Sequence, residues 1–278
     1  ERHDVVTFLL DDSALRETLR ERLAAAPDLA RALSRLALDR GGPRDLAALG
    51  NGIAIAADAG DRLQREAALP TELARATAAL QAAPRALAGE MAATLADELP
   101  LIKRDGGFVR AGFDAELDEL RLLQLDSRRV IAALQGRYVA ETGCRTLRIK
   151  HNNMLGYFVE TPQAQGEEFL TERWRTTFVH RQTMAGAMRF TTVELGELEG
   201  RIVSAADQAL RRELAIFERL RLAVVAATAP IQAAAEALAV VDVAAALAEL
   251  AARAGWVRPQ MEETTAFAIT GGRHPTVE

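Results

Sequence analysis

Between Cys144 and Phe190 lie seven cations: Arg145, Arg148, Lys150, Arg173, Arg175, Arg181 and Arg189. Only Glu160, Glu167, Glu168 and Glu172 oppose them, which leaves this stretch at +3. The whole chain of 278 residues has a formal net charge of −5, so the remainder carries −8. His151, His180, Asn152, Asn153 and Gln182 add hydrogen-bonding groups to the same stretch. Arginine forks suit phosphate oxygens, and amides and imidazoles can join them. The chemistry these residue types offer is therefore the gripping of a polyanion. The net charge alone argues against a nucleic-acid partner. Its uneven distribution reopens that possibility.

Chemistry of other kinds is not signalled. There is no GxxxxGK[ST], no GxGxxG after a strand, no HExxH and no GxSxG. Gly50-Asn51-Gly52 reads as a turn. Asp114, Glu116, Asp118 and Glu119 crowd one helix start, where acidic side chains complement the dipole. Ser34, Ser127 and Ser204 fall inside expected helices without a nearby histidine. His3, His151, His180 and His274 have no metal-ligand spacing. Cys144 is the only cysteine, so no disulfide closes within the chain, as in a reducing compartment. The sequence thus predicts no catalytic residues, no metal and no cofactor in this chain. No apolar run of about 20 residues is expected to cross a membrane. The missing initiator Met suggests a piece of a longer protein.

The elements that must position the cationic stretch are helices. Alanine and leucine dominate and aromatics are 5%, a helix-forming composition. Asp11-Asp12-Ser13 caps a helix with Leu15, Leu19 and Leu23 inward. Asp28 starts another, with Leu29, Leu33 and Leu36 inward. Pro43, Pro70 and Pro84 open further segments and Pro100 ends the last. Asp105-Gly106-Gly107 is a turn between the short apolar pieces Leu101-Ile102 and Phe108-Val109. A long helix follows over 113–142, with Leu117, Leu120, Leu123, Ile131, Leu134 and Tyr138 on its inner stripe, and Gly143 ends it.

Residues 144–190 then read as a small β-rich module. Leu147-Arg148-Ile149-Lys150 alternates, and Tyr157-Phe158-Val159 and Thr176-Thr177-Phe178-Val179 are strand formers. Thr191 and Glu194 suggest a capping box for a second long helix. Its expected stripe is Val203, Ala206, Leu210, Leu214, Phe217, Leu220 and Val224. An alanine-rich helix or pair covers 227–254, and strand-like Trp256-Val257 and Phe267-Ala268-Ile269 follow. The expected fold class is mainly α: an elongated helical core and two long lever helices, with a small β-rich domain inserted at the tip. The expected boundaries are 1–143, 144–190, 191–254 and 255–278.

Five short motifs, in order, resemble the MutS family of DNA mismatch repair proteins. They are Gly42-Pro43-Arg44-Asp45-Leu46, and Arg104-Asp105-Gly106-Gly107-Phe108 with Gly112-Phe113-Asp114-Ala115-Glu116-Leu117-Asp118-Glu119. Then come Leu155-Gly156-Tyr157-Phe158-Val159, Arg181-Gln182-Thr183 with Arg189-Phe190 and Glu194-Leu195, and Gly272-Arg273-His274-Pro275. The resemblance covers essentially the whole chain. It implies that the helices are core and lever, and that the insertion is a clamp on the backbone of double-stranded DNA. It further implies that 255–278 open an ATPase domain whose Walker motifs lie beyond residue 278. ATP and Mg would then belong to the parent protein, with a second MutS subunit and a MutL-like protein as partners, in the cytoplasm and without membrane attachment.

The expected DNA contacts are Arg145, Arg148, Lys150, Asn152, Arg173, Arg175, His180, Arg181, Gln182 and Arg189. The chain departs from the family pattern at Ala185-Gly186, where a Lys-Asn pair is common, and at Met188, where the pattern has Glu. The weight therefore shifts to Arg173, Arg175, His180, Arg181 and Arg189. Phe158-Val159-Glu160 matches the spacing of the family's Phe-x-Glu mismatch probe, but its place in a clamp strand makes that a coincidence. The competing reading is a helical scaffold that grips a protein partner through Tyr157, Phe158, Trp174 and Phe178.

Overall fold

The structure, a computed structural model, describes residues 1–152 and 154–274, with the side chains of residues 124, 125 and 127 also outside the description. Asn153, Pro275 and the side chain of Ser127, named above, lie outside it. Aspartates and prolines start the helices. After α1 (Arg2–Asp11), the Asp12 carboxylate accepts from the Leu15 N–H at 2.9 Å and caps α2 (Ser13–Ala24). Asp28 does the same for the Arg31 N–H at the start of α3 (Leu29–Ala37). Pro43 occupies the first position of α4 (Pro43–Leu63), where its missing N–H costs nothing. Pro70 precedes α5 (Thr71–Gln81), and Pro84 precedes α6 (Arg85–Thr94).

Two expectations fail here. Gly50-Asn51-Gly52 is not a turn but lies inside α4, where a Cβ on Gly52 would come within 2.6 Å of the Leu29 side chain. The glycine is there for close helix packing. α6 stops at Thr94, well before Pro100, because the chain turns into an isolated antiparallel bridge between Leu95 and Val109.

The first long helix is α7 (Ala115–Thr142), with Asp114 as its cap and Gly143 closing it at φ 71°. Four strands follow: β1 (Arg148–Asn152), β2 (Gly156–Pro162), β3 (Val179–Met184) and β4 (Ala187–Thr191). They form one antiparallel sheet in the order β1-β2-β4-β3. A one-turn helix, α8 (Gln163–Gly166), lies between β2 and β3, and Thr176–Phe178 are turn rather than strand. The second long helix is α9 (Val193–Ala226), followed by a single α10 (Thr228–Ala254).

The cap of α9 is Thr192, one residue later than expected. Thr191 is still paired in β4, and the Thr192 hydroxyl accepts from the Leu195 N–H at 3.0 Å. Residues 255–274 hold no strand: Val257, Phe267 and Ile269 are exposed, with no paired strand among the described residues.

The chain divides into two compact units. The first takes Glu1–Arg31, Asn51–Ala88 and Ala227–Glu278, and α10 packs in it against α1, α2 and α5. By length and composition α10 is apolar enough to cross a membrane, contrary to the sequence reading. Its buried side is that of a core helix, with Ile231, Leu238 and Val241 interior. Glu249 near its end pairs with the buried Arg16 at 3.1 Å.

The second unit, Ala32–Gly50 and Gly89–Ala226, holds α7, the sheet and α9. Arg121 near the start of α7 meets Glu213 late in α9, and Arg137 near its end meets Glu194 at the start of α9, so the two helices run antiparallel. The buried stripe of α9 is Leu195, Leu198, Ala205, Ala209, Glu213, Ile216, Phe217, Leu220 and Val224. Val203, expected inside, is half exposed, and Leu214 and Ala206 are only partly covered. On α7, Leu117, Leu134 and Tyr138 are buried but Leu123 is exposed. There Leu120, Leu123 and Val130 face Gly200, Ser204 and Ala205 of α9 across a groove of about 860 Å³.

Candidate nucleic-acid interface

The sheet is anchored by its inner face. Leu147, Val159, Met188 and Phe190 pack with Phe169 and Phe178 from the 163–178 segment and with Leu134, Tyr138, Leu195 and Leu198 of the long helices. The Phe169 and Phe178 rings stack with centroids 4.5 Å apart, and Tyr138 meets Phe178 edge-on at 5.2 Å. The Tyr138 hydroxyl shares a 2.7 Å hydrogen bond with Thr192, and burial pushes its pKa up. These contacts join the module to α7 and α9.

Gly156 opens β2 at φ 68°, and a methyl group there would overlap the Glu199 carboxylate of α9, which accepts from the Tyr157 N–H at 3.2 Å. Only glycine admits both the backbone angle and that approach. Met188, where the family pattern has Glu, is a core residue against Gly166, and Ala185-Gly186 is a two-residue turn between β3 and β4.

The aromatics of the scaffold reading are mostly interior. Phe158 and Phe178 are buried, and Tyr157 and Trp174 are partly buried against the same core. They are the module's own packing, not an exposed apolar patch.

The outer face of the sheet carries the polar residues. Strand register places Arg148 opposite Glu160, Glu160 opposite Arg189, and Arg189 opposite Gln182, one row across all four strands. Lys150, two residues from Arg148 on β1, shares that face. The structure thus brings Arg148, Lys150, Gln182 and Arg189 together. It places Arg145 in the turn before β1, and Arg173 and Arg175 in the exposed 171–177 segment. Arg181 sits at the irregularity in the β3–β4 pairing, between His180 and Gln182.

The expected contact residues differ in what already holds them. Lys150 donates to Glu160 Oε1 at 2.6 Å, and Arg189 Nε to Glu160 Oε2 at 3.1 Å. Arg189 also donates to Gln182 Oε1 at 3.1 Å and lies over the Phe158 ring at 4.6 Å. The Lys150 ammonium, with Arg189, holds the Glu160 carboxyl below its ordinary range against the opposing effect of burial.

Asn152 Oδ1 accepts from the Met154 and Leu155 N–H groups at 3.0 and 2.7 Å and so shapes the β1–β2 turn. His180 Nε2 bonds the Thr183 hydroxyl at 2.9 Å. Arg148 donates to the backbone carbonyls of Arg145 and Leu147, Arg173 lies over Trp174 at 4.9 Å, and Arg175 meets the exposed Glu172 at 3.3 Å. Among the described residues, Arg145, Arg148, Arg173 and Arg181 have no carboxylate partner within ion-pair distance. All four are exposed.

Glu160 is the member of this polar row that sequence reasoning missed. It counted as one of four scattered acids. Its position next to inward-facing Val159 on an alternating strand puts it on the outer face, where Arg189 covers the Phe158 ring, but the pairing of three strands was needed to show that it meets two cations. Phe158 and Glu160 are held by the sheet in this way, in line with the reading of Phe158-Val159-Glu160 as a strand feature. Among the described residues no group of three or more His, Cys, Asp and Glu side chains could hold a metal ion.

Comparison with known proteins gives the family of the chain. The sequence model of the family described as MutS domain III matches residues 1–248. The DNA mismatch repair protein MutS of Azorhizobium caulinodans is 54% identical over 281 residues, covering all of this chain and 30% of that protein. The DNA mismatch repair protein MutS of Rhodopseudomonas palustris (strain BisB5) is 52% identical over 277 residues, with the same shares covered. The chain therefore spans just under a third of the length of these curated relatives. With a domain match over most of its length and more than half of its residues identical to such relatives throughout, the chain belongs to the MutS family of DNA mismatch repair proteins, in which it corresponds to the domain III region.

Proposed function

We propose that the four-stranded module, residues 144–190, is a clamp that holds the phosphate backbone of duplex DNA, and that α7 and α9 are levers tying it to the rest of a MutS protein. The observation that carries this reading is the set of exposed cations on the module that have no carboxylate partner among the described residues, Arg145, Arg148, Arg173 and Arg181. Phosphate contacts of this kind position a protein without reading sequence. The remaining parts of the reading come with the family. The helical segments 1–143 and 191–254 form core and lever, and 255–278 lead into an ATPase domain that uses ATP and Mg. The intact protein works in the cytoplasm as a pair of subunits with a MutL-like partner. The chain itself carries no catalytic group in this reading.

Anisotropy of a labelled duplex of about 30 base pairs tests it. The 278-residue chain is expected to bind weakly, with affinity falling as salt rises. The R173E/R181E double variant is expected to bind at least ~10-fold more weakly, by loss and reversal of two charges. Unchanged duplex binding by that variant overturns the clamp assignment.

A further inference from the structure

We propose that Glu160 occupies the place of a backbone phosphate and keeps two of the module's cations in reserve. The inference rests on the clamp reading above. Glu160 lies on β2, and β1 and β4 flank it on either side. Each of its oxygens takes one cation, Oε1 from Lys150 of β1 and Oε2 from Arg189 of β4. A carboxylate and a phosphodiester present a similar pair of acceptor oxygens to such donors. The fork is built to outlast the loss of its acid. The Arg189 guanidinium is held independently by the Gln182 side chain at 3.1 Å and by the face of Phe158 at 4.6 Å. Lys150 is 55% exposed, so its ammonium can swing to an incoming anion.

The other acids of the module do not do this. Glu172 meets only the exposed Arg175, and Glu167 and Glu168 make no ion pair among the described residues. A phosphate reaching this face must displace Glu160. The acid thereby weakens the grip and subtracts its two cations from the contacts that respond to salt.

The test uses the full 278-residue chain and the same labelled duplex at 25–200 mM salt. E160Q removes one charge and keeps the shape. It is expected to bind ~3- to 10-fold more tightly at the low-salt end and to steepen the plot of log affinity against log salt by about one to two, at about 0.9 per cation engaged. E168Q removes the same charge elsewhere in the module and is expected to gain less than twofold. In a K150Q/R189Q background the E160Q gain is expected to vanish. Equal gains from E160Q and E168Q, or a gain that survives without the two cations, overturn the inference.

A second measurement needs no substitution. The Nε–H resonance of Arg189 in the wild-type chain is expected to move as duplex is added, and an unmoved resonance at saturation overturns it. The two readings fail separately. A wild-type chain that binds with a salt slope that E160Q leaves unchanged defeats this inference and leaves the clamp standing. Absence of binding by both wild type and E160Q defeats both.

Discussion

Glu213 is a charge in the core of the second unit, 3% exposed. Its two oxygens take the Arg121 guanidinium at 2.8 Å and the Phe108 N–H at 3.2 Å, while Arg121 also donates to the Val109 carbonyl at 2.9 Å. One carboxylate thus joins α9, α7 and the loop after Asp105-Gly106-Gly107. A buried pair is costly to break from one side, because the surviving charge has no water to turn to. R121A leaves Glu213 buried without a cation and is therefore expected to lose about 3–5 kcal/mol of unfolding free energy, measured by urea denaturation, and E213A less, because Arg121 is 24% exposed and lies 3.7 Å from Asp118. A loss below about 1 kcal/mol would show that water enters the site and that the pair is ornamental. Nothing local in the sequence marks Glu213. Its partners are 92 and 105 residues away in the chain, and the apolar spacing points to Leu214 beside it. The same blindness applies to Glu160. Residue types announced a cationic module, but only pairing across strands shows which cations are free.

At the scale of elements, most starts and stops were legible because they depend on neighbours in sequence. Asp12, Asp28, Pro43 and Gly143 act through residues within four positions, and the helices begin or end there. What the spacing could not show was how well a stripe is covered. Leu120, Leu123 and Val130 do point toward α9, but Gly200, Ser204 and Ala205 opposite them are too small to fill the gap. The strand-forming stretches of β1 and β2 were readable from alternation and composition, though their pairing was not, and β4, which carries Met188 and Phe190 inward, was not named from the sequence because its identity lies in its partners. Asp114 gives a prediction at this scale. It accepts from the Leu117 N–H at 2.9 Å as the cap of α7, and it pairs with Arg212 of α9 at 2.9 Å. The Arg212 guanidinium first, and the Leu117 N–H with it, hold the Asp114 carboxyl below its ordinary range. A carboxyl lowered on folding contributes stability above its unfolded pKa of about 3.9, and that stability is lost as pH falls through the lower folded value. Between pH 7 and pH 3, D114N is expected to lose less melting temperature than the wild type. D114A is expected to cost about 1 kcal/mol at pH 7, for the lost cap. Parallel pH profiles for wild type and D114N would show that Asp114 is not among the groups that govern acid stability.

For the whole molecule, the proposed clamp raises the question of how a chain of net charge −5 would hold a polyanion. The two long helices of the second unit have 28 and 34 residues, about 42 and 51 Å at 1.5 Å each. Their antiparallel pairing puts the cationic module at one end of them and the Glu213 site, with the acidic start of α7, toward the other. The distance over which charges act on each other is set by salt: about 30 Å at 0.01 M, about 10 Å at 0.1 M and about 8 Å at 0.15 M. At physiological salt a bound duplex therefore senses chiefly the module, whose formal charge is +3. At 0.01 M it also senses the two long helices, where acids outnumber bases by five to four on α7 and by six to five on α9. The two regimes predict a bent salt dependence. Above about 0.1 M, three to four phosphates engaged by Arg145, Arg148, Arg173 and Arg181 should give a slope of about −2.7 to −3.6 in log affinity against log salt. Below about 0.02 M the slope should flatten, as repulsion from the helices grows together with attraction to the tip. Anisotropy of the duplex from 0.01 to 0.2 M salt reads both limbs. A straight line to the lowest salt would mean that the helical charge never reaches the duplex, and a slope near zero would mean that the module makes no phosphate contacts at all.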